Sequence, residues 1–276
     1  MLAILLGGFR LPARSQLQTK SGTTVVIDVT QDKVTIAADS RINFPDGRYR
    51  DDDCKISAFD NKIVFASSGQ RHMQAAFRNG QPTIVWDSHD VAIQAFKAVM
   101  AKPTRPRDDI AVAVARQWEI LTRDFFLSFM RTDPQPVLQL ASHGTDTIVE
   151  GVFVGKHRNG HLTAVQVGVA VDRSLPTIKA SSQVIAPGRI GMMGFKSVAL
   201  EFYWGNSPRA KAEINSWKNT LVGNDAANRR VAFITQLVKW SVLSEPRDVG
   251  GEVDTVVFDS NGVHWIHRKN NCKASE

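Results

Sequence analysis

The sequence predicts an α+β protein whose sheets are mostly antiparallel and whose helices are segregated from the strands. Strand-like segments occur in pairs joined by hairpin turn signals, and amphipathic helical segments are grouped between them. The resulting order is strands, helices, strands, helices and strands. With 276 residues and 43% apolar content, the chain is expected to form one sizeable globular domain, or at most two.

The first block of strands begins after a polar stretch without periodicity. We expect residues 1–22 to be a propeptide or N-terminal tail. Residues 23–30 then alternate, with Val25, Ile27 and Val29 on one face, and residues 34–38 return as the second strand of a hairpin. A polar loop over 43–53 separates this hairpin from another formed by residues 55–59 and 63–67.

The remaining elements follow from periodicity and turn signals. A helix is predicted over 70–79, and amphipathic spacing predicts another over 90–101. Asp108 is the expected cap of a longer helix that ends at Pro134. Further segments are strands at 137–141, 147–155, 161–167 and 183–186, helices at 196–204, 207–221 and 225–243, and strands at 254–258 and 263–267. We expect the domain to cover residues 23–270, with a C-terminal tail at 271–276.

Composition argues against several classes of function. The net charge is +7, but the basic residues are scattered, which favours a solvated basic surface and no nucleic-acid partner. Two cysteines in a chain of this length do not indicate a disulfide scaffold, and Cys54 is expected to be a small buried thiol. The histidines show no metal-binding spacing. We therefore expect neither a metal nor another cofactor.

The apolar run at residues 1–6 is short and has no basic residue before it. A propeptide or a misplaced start codon explains it better than a signal peptide. The sequence contains no stretch of about 18 apolar residues, so it predicts no membrane span. The expected location is the cytoplasm, with secretion left open.

One stretch combines residues that carry chemistry at fixed intervals. It opens with Gly22-Thr23-Thr24, continues through Ala-Ala-Asp39-Ser-Arg and a Lys at position 55, and closes with Ser-Gly at 68–69. In these motifs and their spacing the sequence resembles the proteasome β-subunit branch of the N-terminal nucleophile (Ntn) hydrolases, which includes bacterial proteasome-type peptidases. The likeness fades after Gly69 and returns weakly at the Gly-Gly turn of residues 250–251.

The resemblance implies a four-layer αββα sandwich and an acyl-transfer mechanism. Cleavage of the Gly22–Thr23 bond would make Thr23 the first residue, and its α-amine, with an ordinary pKa of about 7.7–8.0, would serve as the base for its own hydroxyl. Lys55 would keep a positive potential beside Thr23, and Asp39 would hold Lys55 charged and oriented. The N–H of Gly69 would face the developing oxyanion. Arg41, Ser68 and Asp248 complete the expected set, with Arg41 near Asp39 as a structural partner.

Several positions depart from the family's pattern. The family carries a Ser after the Gly of a central strand, where Lys156 follows Gly155 here. Shortly before the Gly-Gly turn, Pro246 and Val249 replace an Asp and a Ser, although Glu245 and Asp248 lie close by in sequence. These departures affect the groups that would hold the terminal amine.

The substrate pocket implied by the resemblance involves residues after the third and fourth strands, here Ile56, Gln70, Arg71 and Met73. Gln70 and Arg71 indicate a polar or acid-accepting pocket.

The leading hypothesis is a threonine peptidase that acts on peptide or protein substrates as a ring-like homo-oligomer. Two alternatives keep the fold. One is a non-catalytic structural or assembly protein whose propeptide stays uncut. The other is an Ntn amidase that acts on a small amide.

Overall fold

A computed structural model describes residues 23–44, 47–76, 82–102, 109–140, 146–157, 159–175, 177–221 and 225–272. Gly22, the expected propeptide and the expected cap Asp108 lie outside these ranges. The strands are β1 (Thr24–Val29), β2 (Lys33–Ala38), β3 (Ile42–Asn43), β4 (Tyr49–Arg50), β5 (Ile56–Phe59), β6 (Ile63–Gly69), β7 (His72–Ala76), β8 (Pro82–Asp87), β9 (Thr147–Lys156), β10 (Leu162–Asp172), β11 (Thr177–Ile185), β12 (Ile190–Gly194), β13 (Asp254–Asp259) and β14 (Gly262–His267). The helices are α1 (Ser88–Met100), α2 (Ile110–Thr132), α3 (Pro134–Leu140), α4 (Ser197–Trp204), α5 (Pro208–Asn219) and α6 (Ala226–Ser244).

Two five-stranded antiparallel sheets form the centre of the molecule. The first sheet has the order β12-β1-β2-β13-β14, and the second has the order β11-β10-β9-β6-β5. β1 lies between β12 and β2, with Thr24 opposite Gly194 and Val25 opposite Ala38. The start of β1 is therefore fixed by hydrogen-bonded neighbours on both sides.

Three apolar cores define four layers. One core lies between the two sheets and contains Val25, Ile27 and Val29, the face of β1 that the alternation predicted. A second core joins the second sheet to α1, α2 and α3. The third joins the first sheet to α4, α5 and α6, and it takes Val26 from the opposite face of β1. The architecture is thus an αββα sandwich, and the predicted α+β fold class is confirmed.

Local capping explains where the main helices begin. The Asp87 side chain accepts from the N–H groups of His89 and Asp90 at the start of α1, and the Asp109 side chain accepts from Ala111 N at the start of α2. Such caps satisfy N–H groups that have no partner within the helix.

Two predicted elements were wrong. Part of the predicted helix 70–79 is strand β7, which pairs with β8 so that Met73 lies opposite Trp86. Both side chains are buried in the core between the second sheet and α1, α2 and α3. Residues 137–140 of the predicted strand 137–141 belong to α3, which begins at Pro134, and residue 141 lies outside the described ranges. Proline is compatible with the first turn of a helix, so this residue starts a helix as well as ending the previous one.

The expectation that Cys54 is a small buried thiol was also wrong. Cys54 and Cys272 form a disulfide bond across a sequence separation of 218 residues. The same C-terminal segment is held by Lys269, whose ammonium pairs with Asp254 at 2.8 Å and donates to the carbonyl of Asp53 at 2.8 Å. The chain consequently remains packed against the sheets as far as Cys272.

Within the ranges given above, no helix has both the length and the apolar character needed to span a membrane.

Candidate functional site

Thr23 lies at the entrance of β1, where the two sheets approach each other. It is fully buried, and its Oγ1 has no hydrogen-bond partner among the described residues. Its carbonyl accepts from Phe195 N at 2.9 Å, and the next residue, Thr24, donates its N–H to Asp39 Oδ1 at 2.8 Å. A buried hydroxyl without a partner is costly in a folded protein. Such a group is a candidate for a functional role.

Asp39 follows β2 and anchors the backbone around Thr23. Its Oδ1 accepts from Thr24 N, and its Oδ2 accepts from Arg41 N and Gly250 N, both at 3.1 Å. Burial raises the pKa of Asp39 to about 6, although the charge of Lys55 and these N–H donors act to lower it. Asp39 is thus a buried carboxyl that titrates close to neutral pH.

Lys55 is almost completely buried just before β5 and forms its ion pair with Asp53, at 2.9 Å. The expectation that Asp39 holds Lys55 in place needs correction, because Asp39 acts on Lys55 only through longer-range electrostatic attraction. Burial works to raise the pKa of Asp53, but Lys55 and Arg71 outweigh it and hold the pKa below its ordinary value. Asp53 is therefore the ionised counter-ion of a buried lysine.

Arg71 shares the Asp53 carboxylate with Lys55. Its Nε lies 3.5 Å from Asp53 Oδ1, and its Nη1 pairs with the carboxylate of Asp87. Because two carboxylates already neutralise this guanidinium, the expectation that Arg71 makes the pocket acid-accepting is not supported by its surroundings.

A buried hydroxyl network lies behind the Lys55–Asp53 pair. The two ring nitrogens of His89, on α1, lie 2.7 Å from Ser57 Oγ and 3.1 Å from Ser67 Oγ. Burial, followed by the charge of Arg71, keeps the pKa of His89 well below its ordinary value. His89 is consequently neutral at pH 7, and it ties the helix layer to β5 and β6.

Gly69 ends β6 with a left-handed backbone, φ +83°, and a Cβ at this position would lie 2.5 Å from the carbonyl oxygen of Ile148. Only glycine fits both constraints. The role of its N–H towards an oxyanion stays a prediction. The preceding residue, Ser68, is buried and directs its Oγ to Glu150 Oε2 at 3.4 Å.

The Gly-Gly turn at residues 250–251 packs directly against the segment that carries Asp39. A Cβ on Gly250 would lie 2.3 Å from the guanidinium carbon of Arg41, and one on Gly251 would lie 2.2 Å from Ser40 Oγ. The Arg41 side chain itself forms a bidentate ion pair with Asp51, with both distances 2.6 Å. Arg41 thus contacts Asp39 through its backbone, while its side chain binds a different carboxylate.

Asp248, the remaining supporting residue, lies in the turn before Gly250, and its carbonyl accepts from the Asn43 side chain at 2.9 Å. Its predicted role stays a prediction.

In the structure, the residue that follows the glycine next to Thr23 is Phe195 and not Lys156. Lys156 lies at the opposite end of β9: Gly155 pairs with Ile63, whereas Val149 pairs with Gly69, six ladder positions and about 20 Å away. The glycine next to Thr23 is Gly194 at the end of β12, and Phe195 follows it. The departure expected at Lys156 was therefore assigned to the wrong position, and the residue at the site is Phe195.

The sequence analysis missed two carboxylates. Asp53 lies two residues before Lys55, a spacing that places two side chains on the same side of an extended chain, and this signal was available. Glu150 accepts from Gly194 N at 2.9 Å and so links the two sheets beside Thr23. No sequence motif marks Glu150, because its partners lie on other strands.

A comparison with solved structures finds a similarity to "Anbu (Gly-1) mutant" from Hyphomicrobium sp. strain MC1. The identity is 12%, the TM-score is 0.48, and the match covers 90% of this chain and 86% of that chain. No protein-family model matches the chain, and no curated protein matches it in sequence. An identity and a TM-score this low support no conclusion about activity. The fold class stated above rests on the observed sheets, helix layers and cores.

Proposed function

We propose that the chain is an Ntn hydrolase of proteasome type that cuts its own Gly22–Thr23 bond and then hydrolyses peptide bonds with Thr23 as the nucleophile. The observation that carries the proposal is the buried Thr23 hydroxyl, which has no partner among the described residues and lies at the entrance of β1. Further support comes from Asp39, a carboxyl with a pKa of about 6 that binds the N–H of Thr24, and from the buried pair of Lys55 and the ionised Asp53.

In this mechanism the α-amine of the freed Thr23 takes the proton from Oγ1, and Oγ1 attacks the scissile carbonyl. Lys55, paired with Asp53, contributes positive potential that favours a neutral amine and a more acidic hydroxyl. The oxyanion receives a hydrogen bond from Gly69 N, a contact of the kind whose loss costs about 3 kcal/mol of barrier. The amine then protonates the leaving group, and water hydrolyses the ester on Thr23.

Hydrolysis of unstructured peptides tests the proposal. We expect the wild-type protein to cleave them, and Thr23→Ala to lose the activity by at least about a thousandfold. Thr23→Ser, which retains the hydroxyl, should keep measurable activity. Equal rates for wild type and Thr23→Ala would reject the proposal.

A non-catalytic structural protein is the second candidate, and a specific observation favours it. The residue beside Thr23, directly after β12, is Phe195, whose carbonyl accepts from Thr24 Oγ1 at 2.6 Å and whose side chain carries no hydroxyl. Val249, in the turn before Gly250, is fully buried and apolar. The lack of polar side chains at positions 195 and 249 would impair self-cleavage while leaving the sandwich intact. An inactive, uncut protein that folds normally would support this candidate, whereas cleavage of small amides alone would support the Ntn amidase.

The disulfide bears on location. Disulfide bonds persist in oxidising compartments and are rare in the cytoplasm of most organisms. The Cys54–Cys272 bond therefore favours an oxidising compartment over the cytoplasmic location that the sequence suggested. Labelling of free thiols in protein isolated from its native cells tests this, since a cytoplasmic protein would carry both thiols reduced.

Self-association is part of the proposal. Large apolar side chains are exposed on the outer surface of the first sheet and its helices, including Trp204, Leu243 and Ile266, at 64%, 71% and 59% exposure. Leu243 and Ile266 line the same apolar depression between α6 and β14. Contiguous exposed apolar surface is typical of protein interfaces. Light scattering on the purified protein should give a mass several times that of one chain.

A further inference from the structure

The inward face of the second sheet changes character where it approaches Thr23. Over most of their length, β6, β9 and β10 direct apolar side chains into the core between the sheets, among them Val64, Ala66, Val152, Val154 and Ala164. Because alternate residues of a strand share one face, Ser68, Glu150 and Gln166 continue the same rows. The apolar interior thus ends in polar groups on the Thr23 side.

These polar groups form a row across neighbouring strands. Gln166 Nε2 donates to Glu150 Oε1 at 3.2 Å, and Gln183 Nε2, on β11, donates to Gln166 Oε1 at 3.4 Å. Glu150 and Gln166 are half-buried, whereas Gln183 is exposed. The row therefore runs from solvent inwards and ends at a carboxylate.

The Glu150 carboxylate binds Gly194, the residue that packs against Thr23. Its Oε2 accepts from Gly194 N at 2.9 Å, and a Cβ on Gly194 would lie only 1.9 Å from the Thr23 carbonyl oxygen. An extended peptide advances about 3.3 Å per residue. A substrate held against Thr23 would bring a side chain adjacent to the scissile bond within reach of this carboxylate.

The charge of Glu150 is not neutralised by a neighbouring cation. Among the residues described, it forms no ion pair, and its donors are a backbone N–H, the Ser68 hydroxyl and the Gln166 amide, all neutral. The buried cations Lys55 and Arg71 pair with other carboxylates, Asp53 and Asp87. A half-buried carboxylate of this kind attracts a cationic ligand and repels an anionic one.

We propose that the row Glu150–Gln166–Gln183 is a substrate subsite for a basic side chain, lysine or arginine, next to the scissile bond. The inference rests on the proposed function, because it assigns specificity to the reaction of Thr23. Glu150 supplies the anion, and the two glutamine amides offer oxygens to the remaining donors of an ammonium or guanidinium group.

The test compares peptides that differ only in one residue beside the scissile bond: arginine, glutamine or glutamate. We expect full-chain wild type to cleave the arginine peptide with a kcat/KM about tenfold above that of the glutamine peptide, and the glutamate peptide least well. Glu150→Gln keeps the size and shape of the side chain and removes its charge, and it should bring the arginine-to-glutamine ratio close to one. Glu119→Gln, the same substitution on α2, is the matched control and should leave the ratio unchanged.

A second variant keeps the test independent of folding at Glu150. Gln183→Lys adds a cation at the exposed end of the row and should lower the arginine-to-glutamine ratio. A wild-type ratio near one would overturn the subsite and leave the proposed function intact. An equal loss for all three peptides in Glu150→Gln, with a shifted pH profile, would also overturn it, since Glu150 would then act on the nucleophile. Absence of any Thr23-dependent cleavage would overturn the proposed function and the subsite together.

Discussion

The buried group Lys55–Asp53–Arg71 predicts an asymmetry between two substitutions. Asp53→Asn removes the carboxylate that two cations share and leaves Lys55 without its counter-ion in a buried position. Breaking a buried pair in this way costs about 3–5 kcal/mol of the free energy of unfolding. Lys55→Met removes one cation but leaves Asp53 paired with Arg71, so we expect a smaller loss of about 1–2 kcal/mol.

Urea unfolding at pH 7, followed by tryptophan fluorescence, measures both losses. Asp52→Asn is the matched control: its ion pair with Arg50 is exposed, with side chains 58% and 58% accessible, so the change should stay within about 0.5 kcal/mol.

The pH dependence of the Asp53 effect has a definite sign. Since the folded pKa of Asp53 lies below its ordinary value of 3.8, its contribution is present above that value and is lost as the pH falls through the lower folded pKa. The difference between wild type and Asp53→Asn should therefore shrink in acid. A loss in Lys55→Met that equals or exceeds the loss in Asp53→Asn would refute the reasoning.

Three further predictions concern stability. Replacing Cys54 and Cys272 together by serine removes a crosslink across 218 residues and should cost up to about 5 kcal/mol, with reductant lowering the stability of wild type but not of the variant. Burial raises the pKa of Asp39 to about 6 from 3.8. Its contribution to the free energy of unfolding is therefore full in acid and falls by about 3 kcal/mol as the pH rises through this window. If the free energies of unfolding of wild type and Asp39→Asn differ by the same amount at pH 4 and at pH 7, this prediction is contradicted. Gly194→Ala places a Cβ against the Thr23 carbonyl and should lower the melting temperature much more than Gly168→Ala, where the nearest atom to a new Cβ is 3.7 Å away.

Local patterns predicted the framework of the protein well. The alternation around Val25, Ile27 and Val29 identified a buried strand face, and the hairpins of β5–β6 and β13–β14 followed from their turn residues. Failures occurred where tertiary contacts decide the outcome. The segment of β7 is a strand because Met73 pairs with Trp86 beneath the helices, a contact that no local propensity encodes.

Local patterns also pointed to part of the candidate site, whereas residues brought in by tertiary contacts were missed. Thr23, Asp39, Lys55 and Gly69 lie on one stretch of chain at recognisable intervals. Asp39 binds the N–H of Thr24, and the charge of Lys55 acts on Asp39. Their catalytic roles stay predictions. Glu150 reaches the site from another strand, as Phe195 does. Only the register between strands places residues so distant in sequence beside Thr23.

The intact mass of the wild-type protein, measured beside that of Thr23→Ala, tests the central claim most directly. The account predicts that wild type loses residues 1–22 and that Thr23→Ala keeps them, because cleavage of the Gly22–Thr23 bond requires the Thr23 hydroxyl. Retention of the full mass by both proteins, under conditions in which both are folded, would contradict it and leave a structural role as the better explanation.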